Sequence, residues 1–284
     1  MTPSLLRHFT KFVAAATLFL IFAGAMVTST GSGLAVPDWP LSYGMVMPPM
    51  VGGIFYEHGH RMIAATVGFL TVLQAIWLQL REPKRRVRIL GWCSVGAVIA
   101  QGLLGGLTVL LLLPKAVSIA HAGLAEIFFC LNVSIAYLTS YQPSARPSFV
   151  LPITVYGQIL IGALMRHLGA GLAIPDFPLS FGKLIPSFTS AAIAVNFAHR
   201  VGALVVVIAI VMAARHASRK IAFTMIGIVA LQILLGAFTV WSGKHPLITS
   251  LHVMTGAATL AISLIYALST EQPAGAFVAN EVTA

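Results

Sequence analysis

The sequence contains very little charge, and this scarcity excludes most soluble folds. Only 8% of its 284 residues are Asp, Glu, Lys or Arg, whereas 58% are hydrophobic; a soluble domain carries about 25% charged residues. The mean hydropathy of +0.93 and apolar runs of about 18 residues or more are typical of a membrane protein. The chain has room for about eight transmembrane helices of roughly 20 residues each, with their loops.

Acidic residues and cysteines are also scarce. Seven acidic residues stand against 17 basic ones, a formal net charge of +10. Because the basic residues lie at the ends of apolar runs, where they set membrane topology, we expect no nucleic-acid partner. Cys93 and Cys130 both lie inside apolar runs, so we expect packing residues rather than a disulfide or metal pair. The sequence has no Gly-rich phosphate loop and no Cys-x-x-Cys pair.

Eight apolar stretches are candidate spans. The polar connections before the first, third, fifth and seventh stretches carry 11 of the 17 basic residues. The positive-inside rule therefore predicts a multi-pass protein of a bacterial-type inner (cell) membrane, with both termini in the cytoplasm. The predicted spans are approximately 12–30, 60–80, 89–112, 117–139, 149–166, 191–214, 221–241 and 247–268.

The chain contains an internal duplication. Residues 31–44 and 169–182 are identical at ten of 14 positions, and shorter matches follow around the later spans. Each half therefore contributes four helices, and because four is even, both halves run in the same sense. We predict an all-α membrane protein of eight helices, built as two pseudo-symmetric four-helix bundles in parallel repeat, 1–140 and 141–284. A mid-chain counterpart also argues that the first stretch is a span rather than a signal peptide.

Four of the nine histidines fall at one predicted depth, four to six residues inside the outer ends of even-numbered helices: His60, His121, His199 and His252. An imidazole in hydrocarbon is costly and usually functional. Two imidazoles facing each other inside a four-helix bundle can hold a haem iron. Zinc fits less well, because no third or fourth ligand repeats at that level.

Basic residues near these histidines have two interpretations. Arg61 and Arg200 directly follow two of the histidines. They extend to the membrane interface, or else they, or nearby Arg166 and Lys183, neutralise haem propionates.

The two halves differ at one acidic position, where Glu57 is replaced by Asn196 in the second half. Glu57 and His60 are three residues apart, so they share a helical face. This places a carboxyl group beside the haem, where it can accept a proton or stabilise positive charge. The alternative is a structural ion pair with Arg61, four residues on. His58 is either a supporting group or simply polar.

Other residues are expected to be structural. Asp38 and Asp176 lie between prolines in matched loops and are expected to cap turns. Glu126 lies inside the fourth span and receives no role. Small residues on the third and seventh spans are expected to let helices pack closely: Gly102, Gly105, Gly106, Gly236 and Ala237.

Taken together, these motifs resemble the heme A synthase family. The resemblance rests on GSGLAVPDWPLSYG (31–44), EHGHR (57–61), His121, FAHR (197–200) and LHVMTG (251–256). It implies that haem O, the substrate, binds between His60 and His121, and that haem b binds between His199 and His252 as an electron-transfer cofactor. It also implies oxidation of a haem O methyl group to a formyl group by successive hydroxylations, giving haem A, with Glu57 as the family's acidic residue.

The sequence departs from the family at two places. Many members carry a cysteine pair in the first outer loop, where this chain has Val36 and Ser42. Many also carry an arginine where this chain has Thr28, although Arg166 stands at the repeat counterpart. The ligand set is unaffected by either departure.

Two other functions fit the same residues. A non-catalytic bis-histidine dihaem cytochrome would hold two permanent haems and would not need Glu57. A haem transporter would hold exchangeable haem without redox conversion. The partners expected for the enzyme are haem O, membrane lipids, an electron acceptor, a haem O synthase docked on the cytoplasmic loops, and a second copy of the chain in a homo-oligomer.

Overall fold

Helices make up most of the described chain. The computed structural model describes residues 2–144 and 147–269, and within those ranges its only β-type pairings are two isolated bridges, Ser42 with Met45 and Ser180 with Lys183. The predicted all-α fold is therefore confirmed. The long helices are α1 (Ser4–Ser29), α2 (Gly52–Arg81), α3 (Arg85–Leu110), α4 (Lys115–Ser140), α5 (Val150–His167), α6 (Ala191–Ala214), α7 (Arg219–Trp241) and α8 (Pro246–Ser269).

Seven of these helices are long and apolar enough to cross a membrane, and the predicted membrane class is confirmed. The exception is α5, the shortest at 18 residues, whose last turn carries Arg166 and His167. It packs against α4, α6 and α8. The fifth predicted span is therefore a helix within the bundle, although its own composition does not mark it as a span.

The helices extend beyond several predicted apolar runs. α1 begins at Ser4 and α2 at Gly52, each eight residues before the predicted start, because helical hydrogen bonding continues through polar residues at the membrane boundary. His60 and His199 therefore lie eight residues after the first residues of their helices, and His121 and His252 lie six residues after theirs. At 1.5 Å per residue these depths are about 12 and 9 Å. The predicted depth of four to six residues is correct for His121 and His252 but too shallow for the other two.

The helices form two rings of four. In the first ring, α1 contacts α2 and α4, and α3 contacts α2 and α4; α5 to α8 repeat this pattern. The rings meet through the pairs α1–α8, α4–α5 and α4–α8. This packing agrees with two pseudo-symmetric halves. The division into 1–140 and 141–284 with separate tasks stays a prediction.

Burial separates central helices from peripheral ones. In the most apolar 18-residue segment of each helix, 50% of the residues of α8 are buried, but only 11% of those of α6. Large apolar side chains such as Phe19, Phe69 and Leu204 are exposed on the outer faces, as expected for surfaces in contact with lipid. Both cysteines are free. Cys130 is half-buried and packs against buried apolar residues, as predicted, whereas Cys93 is exposed and does not have the predicted packing role.

The two matched outer loops fold identically around an aspartate. The carboxylate of Asp38 accepts hydrogen bonds from the backbone amides of Tyr43 and Gly44 at 2.6 and 2.8 Å. Asp176 accepts the equivalent pair from residues 181 and 182 at 2.7 and 2.8 Å. Gly44 adopts a φ of +69°, a left-handed conformation that glycine tolerates best. The predicted turn-capping role of both aspartates is confirmed.

Candidate functional site

Each of the four histidines lies against a glycine on the preceding helix. A Cβ atom built on that glycine would fall 2.9 to 3.2 Å from the imidazole Cε1, tighter than side chains normally tolerate. A larger residue would therefore displace the imidazole from this position, and glycine lets it lie directly against the helix. The pairs are Gly24 with His60, Gly105 with His121, Gly162 with His199, and Gly236 with His252.

These contacts make each helical hairpin a repeated unit, with glycine on its first helix and histidine on its second. The pattern occurs four times, twice in each half. Sequence reasoning assigned Gly105 and Gly236 to general helix packing. In the structure their close neighbours are imidazole rings, so they shape the histidine sites themselves.

In the second half, His199 and His252 have the spacing that a shared metal centre requires. Their ring centroids are 6.5 Å apart and the ring planes make an angle of 78°. An imidazole nitrogen lies about 2 Å from a metal it binds and about 1 Å from its own ring centre, so two imidazoles on opposite sides of one metal have centroids about 6 Å apart. The pair fits a bis-histidine haem iron.

In the first half, His60 and His121 occupy the corresponding positions on α2 and α4. Both rings are half-buried, and within the described residues the Nδ1 atom of each is buried without a hydrogen-bond partner. Buried polar atoms without partners are rare in folded proteins and call for a missing water, ion or ligand. The first-half pair therefore also fits a group bound between α2 and α4.

A glutamine one helical turn before the glycine accompanies three of the four histidines: Gln101, Gln158 and Gln232. Gln101 and Gln158 donate from Nε2 to the backbone oxygen of His121 and His199, at 2.9 and 2.7 Å. The Oε1 atoms of all three glutamines are buried and unpartnered in the described structure. The internal repeat pairs Gln101 with Gln232. Gln158 received no role from the sequence, and a comparison of the hairpins for the pattern Q-x-x-x-G would have found it.

Glu57 is buried and both of its carboxylate oxygens accept hydrogen bonds. Arg61 donates to Oε1 at 2.7 Å, and the backbone amide of Val36 donates to Oε2 at 2.8 Å. The ion pair that sequence analysis gave as the alternative role is present. Its counterpart Asn196 likewise accepts from Arg200 at 3.0 Å and fastens its own loop by donating to backbone oxygens.

The arginines that follow the histidines support the outer loops. Arg61 donates to the backbone oxygens of Asp38 and Leu41 at 2.7 and 2.9 Å. Arg200 donates to the backbone oxygens of residues 174, 176 and 179 at 2.8 to 3.0 Å. These donors face loop carbonyl groups, and a contact with haem propionates stays a prediction for both arginines.

Arg166 links the two halves. It donates to the backbone oxygen of Ala25 at 2.8 Å and to the Ser29 hydroxyl at 2.7 Å, both at the end of α1. Ser250 of α8 donates to the same Ser29 hydroxyl at 3.0 Å. A contact between Arg166 and a haem propionate stays a prediction.

The remaining residues singled out from the sequence lie near the site or at the junction of the halves. His58 is buried and its Nδ1 lies 2.8 Å from the Ser42 hydroxyl. Ser42 and Val36 of the first outer loop both contact the start of α2. Glu126 is buried on α4, and its Oε2 atom has no partner among the described residues.

Comparison with known proteins gives the family. Residues 51–264 match the family described as cytochrome oxidase assembly protein. The chain belongs to this family. The matched range contains all four histidines and Glu57.

Curated relatives agree with this assignment. The chain is 33% identical to a protein named heme A synthase from Shouchella clausii, over 66% of this chain and 67% of the relative. It is 30% identical to one from Symbiobacterium thermophilum, over 68% and 69%. The match to one from Lysinibacillus sphaericus, at 26% identity, extends over 92% and 93%.

Proposed function

We propose that this protein is a heme A synthase, an integral membrane oxidoreductase that converts a methyl group of haem O into the formyl group of haem A. The observation that carries the proposal is the fourfold placement of an imidazole on a glycine, twice in each half, in a chain whose relatives are named heme A synthase. Within the described residues no cluster of three or more His, Cys, Asp or Glu side chains is arranged to hold a metal ion. A porphyrin iron needs only two protein ligands.

Each pair of histidines has its own task in this proposal. His60 and His121 hold the substrate, haem O, and His199 and His252 hold a resident haem b. When bound, haem b supplies a nearby acceptor for electrons removed from the substrate. The spacing of His199 and His252, 6.5 Å between ring centroids, supports the second assignment.

Glu57 is the proposed proton acceptor of the first half. It lies one helical turn from His60 on the same face of α2, it is 4% exposed, and its counterpart Asn196 cannot take up a proton in the same way. Arg61 and the Val36 amide hold the carboxylate in one orientation. Oxidation of a methyl group releases protons, and a fixed carboxylate beside the substrate can receive them.

The proposal also assigns a location and partners. The basic residues around the α2–α3 and α6–α7 connections support a proposed orientation with both termini in the cytoplasm of a bacterial cell and the histidines near the outer surface. A haem O synthase supplying the substrate, an electron acceptor that reoxidises haem b, and a second copy of the chain are the expected partners.

The direct test is the identity of the haem made. Co-expression of the full chain with a haem O source should yield haem A or hydroxylated intermediates among the extracted haems, measured by mass and chromatographic retention. A His60→Ala variant expressed in the same way is the control and should yield haem O alone. Recovery of unmodified haem O from the unaltered protein would reject the enzyme and favour a cytochrome or transporter.

Glu57→Gln tests the proton acceptor. We expect formation of haem A to fall by at least about 100-fold, in line with removal of a general base, while the absorption spectrum of haem b is retained. Glu57 also fastens the first loop, so the loop must be followed separately by its rate of proteolysis. Normal haem A formation would remove Glu57 from the mechanism, and lost haem b would indicate a structural role alone.

His252→Ala tests the second-half assignment. Because this change removes one of two proposed iron ligands, the low-spin spectrum of haem b should disappear, whereas haem O should still bind to the first half. The matched variant is His121→Ala, which should lose haem O and keep haem b. Retention of the low-spin spectrum in His252→Ala would refute the assignment.

A further inference from the structure

The outer rim of the first half is apolar, whereas the outer rim of the second half carries lysines. The outer rim of each half consists of the tip of its matched outer loop, the residue that precedes α2 or α6, and the residues that follow α3 or α7. The segment 45–51 contains no polar side chain. The exposed residues of the first rim are Met45, Val46, Met47, Val51, Leu112 and Leu113.

Contacts with loop glycines show that the two rims are equivalent. A Cβ atom on Gly33 would lie 3.4 Å from the side chain of Leu113, and a Cβ atom on Gly171 would lie 3.3 Å from the side chain of Lys244. Leu113 and Lys244 therefore occupy the same position over their loops. The first half carries an apolar residue where the second half carries a charge.

Two more rim positions follow the same pattern. Met45 and Lys183 hold the same place in the loops, each in an isolated bridge with the serine three residues before it. Val51 is the N-cap residue of α2, and Ser190, the N-cap residue of α6, accepts a hydrogen bond from the helix with its hydroxyl. At both positions the first half is apolar and the second half is charged or polar.

The loop tips present their apolar side chains from a fixed backbone. Val46 is 82% exposed, and Leu184 at the equivalent position is 83% exposed. The bridge in each loop and the capping aspartate before it hold the backbone of the tip. Exposed apolar side chains in an ordered segment mark an interaction surface.

In the first half, this exposed surface continues the lipid-facing side of α2. Phe55, Met62 and Phe69 are exposed and lie seven residues, or about two helical turns, apart, so they form one stripe along the helix. Val51 lies four residues before Phe55 and is also exposed. The surface that meets lipid on α2 therefore extends without a polar break onto the loop.

The backbone of the segment 45–51 suits the edge of the bilayer. Backbone groups that lack partners do not occur in the hydrocarbon core. Pro48 and Pro49 have no amide hydrogen, and the amides of Met45 and Val51 each donate within the loop at 3.0 Å. Water and headgroups can serve the other amides at the boundary of the acyl chains, so the segment fits this boundary and not the bilayer centre.

We propose that the outer rim of the first half is immersed in the leaflet on the side of the outer loops, at the boundary between headgroups and acyl chains. The outer rim of the second half lies among the headgroups, where lysines keep their charge in water. The immersed rim lets haem O and haem A, which are largely apolar, pass between the bilayer and the first-half site without crossing water. The inference rests on the proposed function in naming haem as the molecule that passes.

Spin labels measure the immersion directly. The full chain carries Cys93→Ser and Cys130→Ala, so that one new cysteine at a time can be labelled, and it is reconstituted in lipid nanodiscs. Collisions of the label with oxygen, which dissolves in the bilayer, and with a water-soluble nickel complex together give the depth of the label.

Matched positions in the two rims should lie at different depths. Labels at Val46→Cys and Leu113→Cys should lie about 5 to 10 Å inside the bilayer surface. The equivalent labels at Leu184→Cys and Lys244→Cys should collide readily with the nickel complex. Leu204→Cys, on the exposed side of α6, is the control for full contact with lipid.

Exchange of rim residues tests the route of the substrate. Met45→Lys/Leu113→Lys gives the first rim the lysines of the second, and should move the Val46 label outward to the depth of the second tip. It should also slow the transfer of haem O from donor vesicles into the first-half site, followed by absorption spectroscopy. The matched control, Lys183→Met/Lys244→Leu, should leave this transfer unchanged.

Three results would overturn the inference. The first is equal depth of the two tips, and the second is a first rim shielded from oxygen and nickel alike, which would mean that another protein or a second copy covers it. The third is unchanged transfer of haem O in the double lysine variant. If that variant fails to fold, Val46→Lys replaces it, because this side chain is almost fully exposed. The depths are measured without haem, so failure to form haem A would reject the proposed function and leave the immersion of the rim standing.

Discussion

The interiors of the two halves differ in polarity on the side of the histidines that faces away from the outer loops. The first half buries Thr17, Thr71 and Ser94, all at most 1% exposed. At the corresponding positions the second half buries Val155, Ile210 and Met225. These three belong to an apolar cluster joining α5, α6, α7 and α8.

The polar residues of the first half form contacts between helices. Gln74 of α2 donates to Asn132 of α4 at 2.9 Å, and Asn132 lies 3.5 Å from the Thr17 hydroxyl on α1. The second half replaces Gln74 and Asn132 by Ala213 and Ser263. One half is therefore joined partly by hydrogen bonds, which hold a specific geometry, and the other by close apolar packing, which tolerates replacement by side chains of similar volume. Duplication preserved the helix arrangement and the histidines while the means of holding the helices together diverged.

The halves also differ where the outer loop meets the third helix of each ring. In the first half, a Cβ atom on Gly106 would lie 2.7 Å from the Trp39 ring. In the second half the equivalent residues are Ala237 and Phe177. The larger ring thus lies against glycine, and the equivalent positions of the second half carry a smaller ring and a larger residue, alanine.

Gly106→Ala should produce the largest loss of stability among the changes that probe this comparison. The added methyl group overpacks the Trp39 ring, and overpacking of this kind costs about 1 to 3 kcal/mol. The free energy of unfolding in mixed micelles is the measurement. Adding Trp39→Phe, which reproduces the second-half pair, should recover most of the loss.

The control for this change is on the same helix. A Cβ atom on Gly102 has no neighbour within 4 Å, so Gly102→Ala should not destabilise the protein. Two results would contradict this explanation: equal effects of Gly102→Ala and Gly106→Ala on stability, or no recovery of stability with Trp39→Phe. Either result would mean that the size of the helix residue is not matched to the size of the loop ring.

Gln74→Leu should have a smaller effect. It leaves the Oδ1 atom of Asn132 without its donor, and side-chain hydrogen bonds between membrane helices contribute on average about 0.6 kcal/mol and at most about 1.7 kcal/mol. A cycle of Gln74→Leu, Asn132→Leu and the double variant measures the coupling by unfolding in micelles. A coupling near zero would mean that the polar interior of the first half does not hold its helices together.

Much of the architecture could be predicted because it depends on patterns along the chain. Apolar runs fixed the number of helices, and the matched loops revealed the duplication together with the roles of Asp38 and Asp176. The depth of His60 was less accurate, because an apolar run ends where the lipid ends, whereas the helix that carries it begins eight residues earlier at Gly52.

Contacts between helices were harder to predict, because they depend on the rotation of each helix about its axis. The sequence has 25 glycines, and nothing in their number distinguishes Gly24, against the imidazole of His60, from Gly96, which has open space around it. Glu57 illustrates a second limit. Its spacing from both His60 and Arg61 was visible, but the bond from the Val36 amide depends on how the loop returns over α2.

The smallest expected effect concerns the part of the molecule in which the halves agree. Hydrogen bonds from the Gly44 and Tyr43 amides hold the pKa of Asp38 below its ordinary value of 3.8, and the amides of Gly182 and Phe181 do the same for Asp176. A depressed folded pKa means that this stabilisation is complete above pH 3.8 and is lost as the pH falls through the lower folded value. Both aspartates are only partly buried and lie in the loops, so the effect is confined to the loops.

Hydrogen-exchange protection of these four amides, followed by mass spectrometry from pH 6 downward, should therefore fall in both loops over the same range below about pH 3.8. Asp38→Asn should reduce protection of the first loop at every pH and abolish its pH dependence, while the second loop serves as an internal control. If the two loops lost protection at clearly different pH values, the divergence between the halves would extend to the outer loops, although their sequences and hydrogen bonds match.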